Sequence, residues 1–118
     1  NKVARCLEAN ITPIVCVDDE YIGDQAAAIE KDHLPKCIVA YEELGAIGTG
    51  DNESPERVVK VAQQIKNAFG EVPVLYGGSV KPGNVDQYLL VCDGVLVGGA
   101  SLKPDQFAQL VESFGFTE

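Results

Sequence analysis

Apolar residues recur along this chain in two alternating rhythms, short uninterrupted runs and longer stretches at helical spacing, and the alternation predicts its elements. Val3, Cys6 and Leu7 stand at i, i+3 and i+4, as on a helix that ends near Asn10. Residues 12 to 17, TPIVCV, then read as a buried strand. In the connector that follows, Asp18, Asp19 and Glu20 precede a helix-prone QAAAIEK segment, and Pro35 stops it. Residues 36 to 41, KCIVAY, are apolar enough for a strand covered on both faces. Ser54 is placed to cap a helix with Pro55 at its first position and Glu56 in its first turn. Val58, Val59, Ala62, Ile65 and Phe69 are its apolar stripe, and Gly70 ends it. Residues 72 to 76, VPVLY, are a third strand. Lys81-Pro82-Gly83 turns the chain into a short helix around residues 85 to 90, and residues 94 to 97, GVLV, are a fourth strand. A last helix opens at Pro104-Asp105, carries Phe107, Leu110, Val111 and Phe114, and finishes by Gly115.

Strands that alternate with helices from end to end imply an α/β fold with parallel strands joined by right-handed crossovers. Periodicity does not separate a closed barrel from an open doubly wound sheet, but in both the functional groups gather at the carboxyl ends of the strands. Three groups stand there. Glu42 is the first charge after the second strand, either a general base at a strand mouth or an ordinary surface acid. Glycines at 45, 48 and 50 follow it and suit a loop that brings backbone N–H groups close to a ligand. Gly77-Gly78-Ser79 and Gly98-Gly99-Ala100-Ser101 close the third and fourth strands. Each glycine pair alone is more often just a tight turn. Two at successive strand ends favour an anion site, because a backbone without Cβ aims its N–H groups at a phosphate beside the start of the next helix.

Composition narrows the chemistry. With 118 residues and 46% hydrophobic content, residues 1–118 are expected to form a single globular domain or a large piece of one. The net charge of −9 repels a nucleic-acid backbone, and no run approaches the ~18 apolar residues that a membrane span needs, so neither partner is expected. A small phosphate ester is compatible with that charge. The cysteines at 6, 16, 37 and 92 form no CxxC pair and read as buried thiols of a reducing compartment. Metal-site patterns are absent from the sequence, as are the GxxxxGK[ST] and GxGxxG phosphate-loop patterns. There is no methionine, position 1 included, so Asn1 is expected to be an internal position of a longer chain.

AYEELGAIGTG, LYGGSVKPGN and DGVLVGGASLKP, in this order and preceded by TPIVCV, resemble the second half of the triosephosphate isomerases over nearly all of the chain. The resemblance implies a parallel (β/α)8 TIM barrel of which residues 1–118 hold about four βα units, strands five to eight. It implies interconversion of dihydroxyacetone phosphate and glyceraldehyde 3-phosphate in glycolysis and gluconeogenesis, by a cytoplasmic homodimer with no metal or organic cofactor. By motif, Glu42 matches the catalytic base, and Gly48, Ser79, Gly98 and Gly99 match donors to the substrate phosphate. Ile47 and Leu96 resemble the apolar clamp over the base, which would desolvate it. Tyr76 resembles the residue that latches the lid, or is an aromatic packed under a helix. The pairing of such a glutamate with a neutral histidine electrophile belongs to the family enzyme and is not shown by these residues.

The chain also departs from the family. Nothing in it matches the family's catalytic lysine or histidine, since His33 lies in the connector before the second strand. Glu43 and Gly45 stand where the family's lid has proline and tryptophan. The chain is therefore expected to be inactive alone and to need a complementary half-barrel or a second copy. A reading of a different class, a non-catalytic phosphate-binding or assembly module, stays open beside it.

Overall fold

A computed structural model describes residues 1–42 and 53–115. Four runs rich in β-branched and aromatic residues form one parallel sheet: β1 (Ile14–Val17), β2 (Ile38–Glu42), β3 (Val74–Gly77) and β4 (Gly94–Leu96). The strands lie side by side in chain order, with Val17 opposite Tyr41, Glu42 opposite Gly77, and Gly77 opposite Leu96. Between and around them run α1 (Lys2–Glu8), α2 (Ile22–Ala27), α3 (Pro55–Phe69), α4 (Val85–Leu89) and α5 (Pro104–Glu112).

The alternation of side chains along each strand divides the sheet into two unlike faces. Val17, Val39, Tyr41, Val74 and Tyr76 point to one face and are all buried, in a core completed by Ile22 and Ala26 of α2, five residues of α3, Val85 and Tyr88 of α4, and Leu110 of α5. Cys16, Ala40, Glu42, Gly77 and Leu96 share the opposite face, which carries none of that helical cover. An open doubly wound sheet has helices on both faces and reverses its strand order at a switch point. Sequential order with one covered face is instead the wall of a barrel, consistent with half of a (β/α)8 fold.

The helix α3 follows its sequence signals closely. Ser54 accepts from the Arg57 amide at 3.2 Å, Pro55 occupies the first position, and Gly70 leaves the helix at φ 89°. Its buried stripe is Val58, Val61, Ala62, Ile65 and Phe69, and this corrects the expected one. Val59 is 47% exposed, because residues 58, 61, 62 and 65 keep the helical angle and 59 falls outside it.

Other expectations change too. The helix anticipated at residues 25 to 31 is α2, three residues earlier at its start, because Ile22 and Ala26 at i, i+4 face the core. The first strand is not buried on both faces: Ile14 is 50% exposed and Cys16 is exposed, since β1 is an edge strand of this sheet. Of the four free cysteines only Cys37 is buried, with Cys6 and Cys92 intermediate. The last helix buries Leu110 alone and leaves Phe107, Val111 and Phe114 partly exposed, lining a 240 Å³ apolar groove with Val95 and Val97 beside edge strand β4.

Candidate active site

The carboxyl ends of the strands bring some of the expected residues together. Glu42 is the last residue of β2 and is half-buried on the open face of the sheet. A Cβ added to Gly77 would lie 3.0 Å from the Glu42 Cγ and 3.5 Å from Leu96 Cβ, so the glycine is the gap through which the carboxylate and Leu96 approach one another. On the other side stands Cys16 of β1, on the same face of the sheet as Glu42. Its thiol is pushed above the ordinary value of 9.0, by partial desolvation first and then by Glu42. Glu42 and Cys16 line a 530 Å³ cleft with Val17, Asp18, Tyr21, Asp24, Gln25 and Ala28. Gln25 caps the edge by donating to the Cys16 carbonyl at 3.0 Å.

That cleft is acidic, with Asp18, Asp24 and Glu42 on its walls. The glycine turns lie on the other side of Glu42, at the ends of β3 and β4, and none of them lines the cleft. Ser79 sits in the first turn, held by Asn84, whose Nδ2 donates to the Ser79 carbonyl at 2.9 Å while its Oδ1 accepts from the Lys81 amide at 2.9 Å. Gly98 and Gly99 are exposed, and Gly98 caps the 3-10 turn Gly99–Leu102. A Cβ at either would meet nothing within 4 Å, so the space beside both is open. Gly78 has a different reason to be glycine, since a Cβ there would fall 2.4 Å from the Tyr76 hydroxyl.

Tyr76 faces the helices, away from Glu42, and is fully buried. Its ring stacks on Tyr88 at 4.2 Å and meets Tyr41 at 6.2 Å. Its hydroxyl accepts from the Glu53 amide at 3.1 Å while its ring packs against α4. Ile47, Gly48, Glu43 and Gly45 lie outside the described residues. His33 stays in the connector before β2, with its Nε2 3.8 Å from Glu30.

Sequence reasoning missed three neighbours of this site. Cys16 precedes Glu42 by a whole βα unit and pairs with Ala40, and only this parallel register puts it on the face and in the cleft of Glu42. Tyr41 and Tyr88 converge on Glu53 from positions far apart in the chain. The available signal was chemical, because a tyrosine in a buried position needs a partner for its hydroxyl. Among the described residues no cluster of three or more His, Cys, Asp or Glu could hold a metal ion, and no helix is long and apolar enough to cross a membrane.

A one-sided parallel sheet with a carboxylate and glycine turns at its carboxyl end defines a protein of the TIM-barrel class. Residues 1–114 match the family model described as triosephosphate isomerase, and the chain belongs to that family. It is 38% identical to the triosephosphate isomerase of Mycoplasmoides gallisepticum over 95% of its own length and 55% of the relative's. For the triosephosphate isomerases of Synechococcus sp. and Aquifex aeolicus the identity is 36%, covering 93% and 96% of this chain and 50% and 56% of theirs. The chain thus spans about half the length of the curated relatives it matches.

Proposed function

We propose that this chain supplies the base and the phosphate site of a triosephosphate isomerase, the interconversion of dihydroxyacetone phosphate and glyceraldehyde 3-phosphate. The observation that carries the reading is the position of Glu42 on the open face between Cys16 and Leu96, with the turns of β3 and β4 at the same end of the sheet. In the proposed reaction the Glu42 carboxylate takes a proton from the carbon beside the substrate carbonyl. The C–H electron pair becomes the C=C bond of an enediolate as the carbonyl π pair moves onto oxygen; the same carboxyl returns the proton to the neighbouring carbon and the hydroxyl proton passes from one oxygen to the other, with no net oxidation. Leu96, with Ile47, excludes water from the base.

Charge orients the substrate. The acids of the β1 cleft repel the phosphate, while backbone N–H groups at Ser79, Gly98, Gly99 and Gly48 are its proposed donors. The groups that polarise the carbonyl are not among residues 1–118 and are proposed to come from a complementary half-barrel, while a second copy in a homo-oligomer would cover the open face without supplying them. Two edge strands and the apolar groove beside β4 support such a partner. The proposed setting is the cytoplasm, with no metal or organic cofactor.

The test is complementation. The chain is co-expressed with the amino-terminal half of the Mycoplasmoides gallisepticum relative, and isomerisation is measured with and without Glu42→Gln. Activity that appears on co-expression and is lost in the variant supports the reading. Activity indifferent to Glu42 contradicts it, and anion binding without any isomerisation would favour a non-catalytic phosphate-binding module.

A further inference from the structure

Glu53, the first described residue after 43–52, is held at three atoms by three tyrosines from three elements. Tyr41 at the end of β2 donates its hydroxyl to the Glu53 carboxylate at 3.2 Å. Tyr76 of β3 accepts from the Glu53 amide at 3.1 Å, and Tyr88 of α4 donates to the Glu53 carbonyl at 2.6 Å. Two of these bonds use the backbone and fix where Glu53 stands. The third uses the side chain and ties that fixed point to β2. Arg57 adds charge nearby: it pairs with Asp19 after β1, and its pKa is raised chiefly by Asp19, with Tyr41 and Glu53 contributing.

Tyr41 and Glu42 are consecutive on the last two positions of β2 and point to opposite faces of the sheet. A strand end is where ladder pairing stops restraining the backbone, so a tether on Tyr41 also limits how far Glu42 swings on the other face. We propose that Glu53 is a positioning residue for Glu42, acting through Tyr41. This inference rests on the proposed role of Glu42 but concerns its placement, and it assigns a function to a carboxylate that never meets the substrate. A misplaced base is costly in such chemistry, where a shift of ~1 Å can slow a reaction by ~10²-fold.

Cys16 offers a readout that needs no turnover. Its thiol lines the same cleft as Glu42 and is held protonated partly by that charge, so a displaced Glu42 leaves Cys16 more ionised and more reactive. The rate of Cys16 alkylation by iodoacetamide is measured in the full chain across pH 7–9 by peptide mass spectrometry, with Cys6 as internal reference. Glu42→Gln sets the full range, expected as a faster reaction at each pH below the thiol pKa. Glu53→Ala is expected to recover at least a third of that range, whereas Glu53→Gln, whose amide oxygen still accepts from Tyr41, stays near wild type.

If buried Cys37 also becomes reactive in Glu53→Ala, the fold has loosened, and Tyr41→Phe, which keeps the ring and removes the tether, takes its place with the same expectation. Unchanged Cys16 reactivity in the folded tether variant, equal effects of alanine and glutamine at 53, or no response to Glu42→Gln would each overturn the proposal. Because no substrate is involved, a failure here leaves the complementation result untouched. Loss of the isomerase reading would likewise leave the Glu53–Tyr41–Glu42 coupling standing.

Discussion

Glu42 and Gly77 face each other across β2 and β3, and a Cβ at residue 77 would reach to 3.0 Å from the Glu42 Cγ. The neighbour that must yield is a side chain and not backbone, so Gly77→Ala is expected to fold, at a cost near the low end of the ~1–3 kcal/mol typical of overpacking. The carboxylate, however, is pushed from its place. In the complemented enzyme kcat should fall by ~10²-fold, while the affinity for a phosphate-bearing inhibitor changes little. Equal kcat in the variant and wild type, by coupled assay, would mean that this contact does not set the position of the base.

At the next residue the neighbour is rigid. A Cβ on Gly78 would meet the Tyr76 hydroxyl at 2.4 Å and its Cζ at 2.8 Å, and Tyr76 is locked against Tyr88 in the core. Gly78→Ala should therefore destabilise by about 1–3 kcal/mol in urea melts. Tyr76→Phe alone should cost about 1 kcal/mol through the lost bond to the Glu53 amide. The double variant should cost less than the two singles added, because phenylalanine removes the closest clashing atom. Strict additivity would show that the two residues do not touch in solution.

Alkaline pH should destabilise the fold through its thiols. Burial is the first cause that pushes Cys37 and Cys92 above 9.0, and partial desolvation with the Glu42 charge does so at Cys16. Folded-state values above the unfolded value mean that the stabilisation is present below pH 9 and is lost as pH rises through the folded values, since unfolding then releases protons. The midpoint of thermal unfolding should fall as pH rises past 9.0. Cys37→Ala with Cys92→Ala should flatten that slope, and a slope unaffected by the pair would assign it to other groups.

The fold was legible wherever one segment carried its own signals. Ser54, Pro55 and Gly70 bracket α3 because caps are local chemistry, and Glu42 stood out because it is the first charge after an apolar run. Burial was less legible. Val59 and Val61 are the same residue type, and only the helical angle decides which one the core covers. The exposure of Ile14 and Cys16 follows from a sheet edge, and no property of TPIVCV announces an edge. The grip on Glu53 was hidden for a related reason: its three tyrosines lie 12, 23 and 35 residues away, and only the parallel register and the packing of α4 gather them.

The central claim is that Glu42 and the glycine turns after β3 and β4 serve one phosphorylated substrate. Titration with 2-phosphoglycolate, followed by backbone amide shifts, tests it most directly. The account predicts that the Ser79, Gly98 and Gly99 amides shift together with one saturating curve at up to millimolar ligand, and that amides lining the acidic cleft at Asp18 and Asp24 do not follow it. If Gly98 and Gly99 stay in place at that concentration, or if shifts centre on the cleft instead, the phosphate site is not where this account puts it.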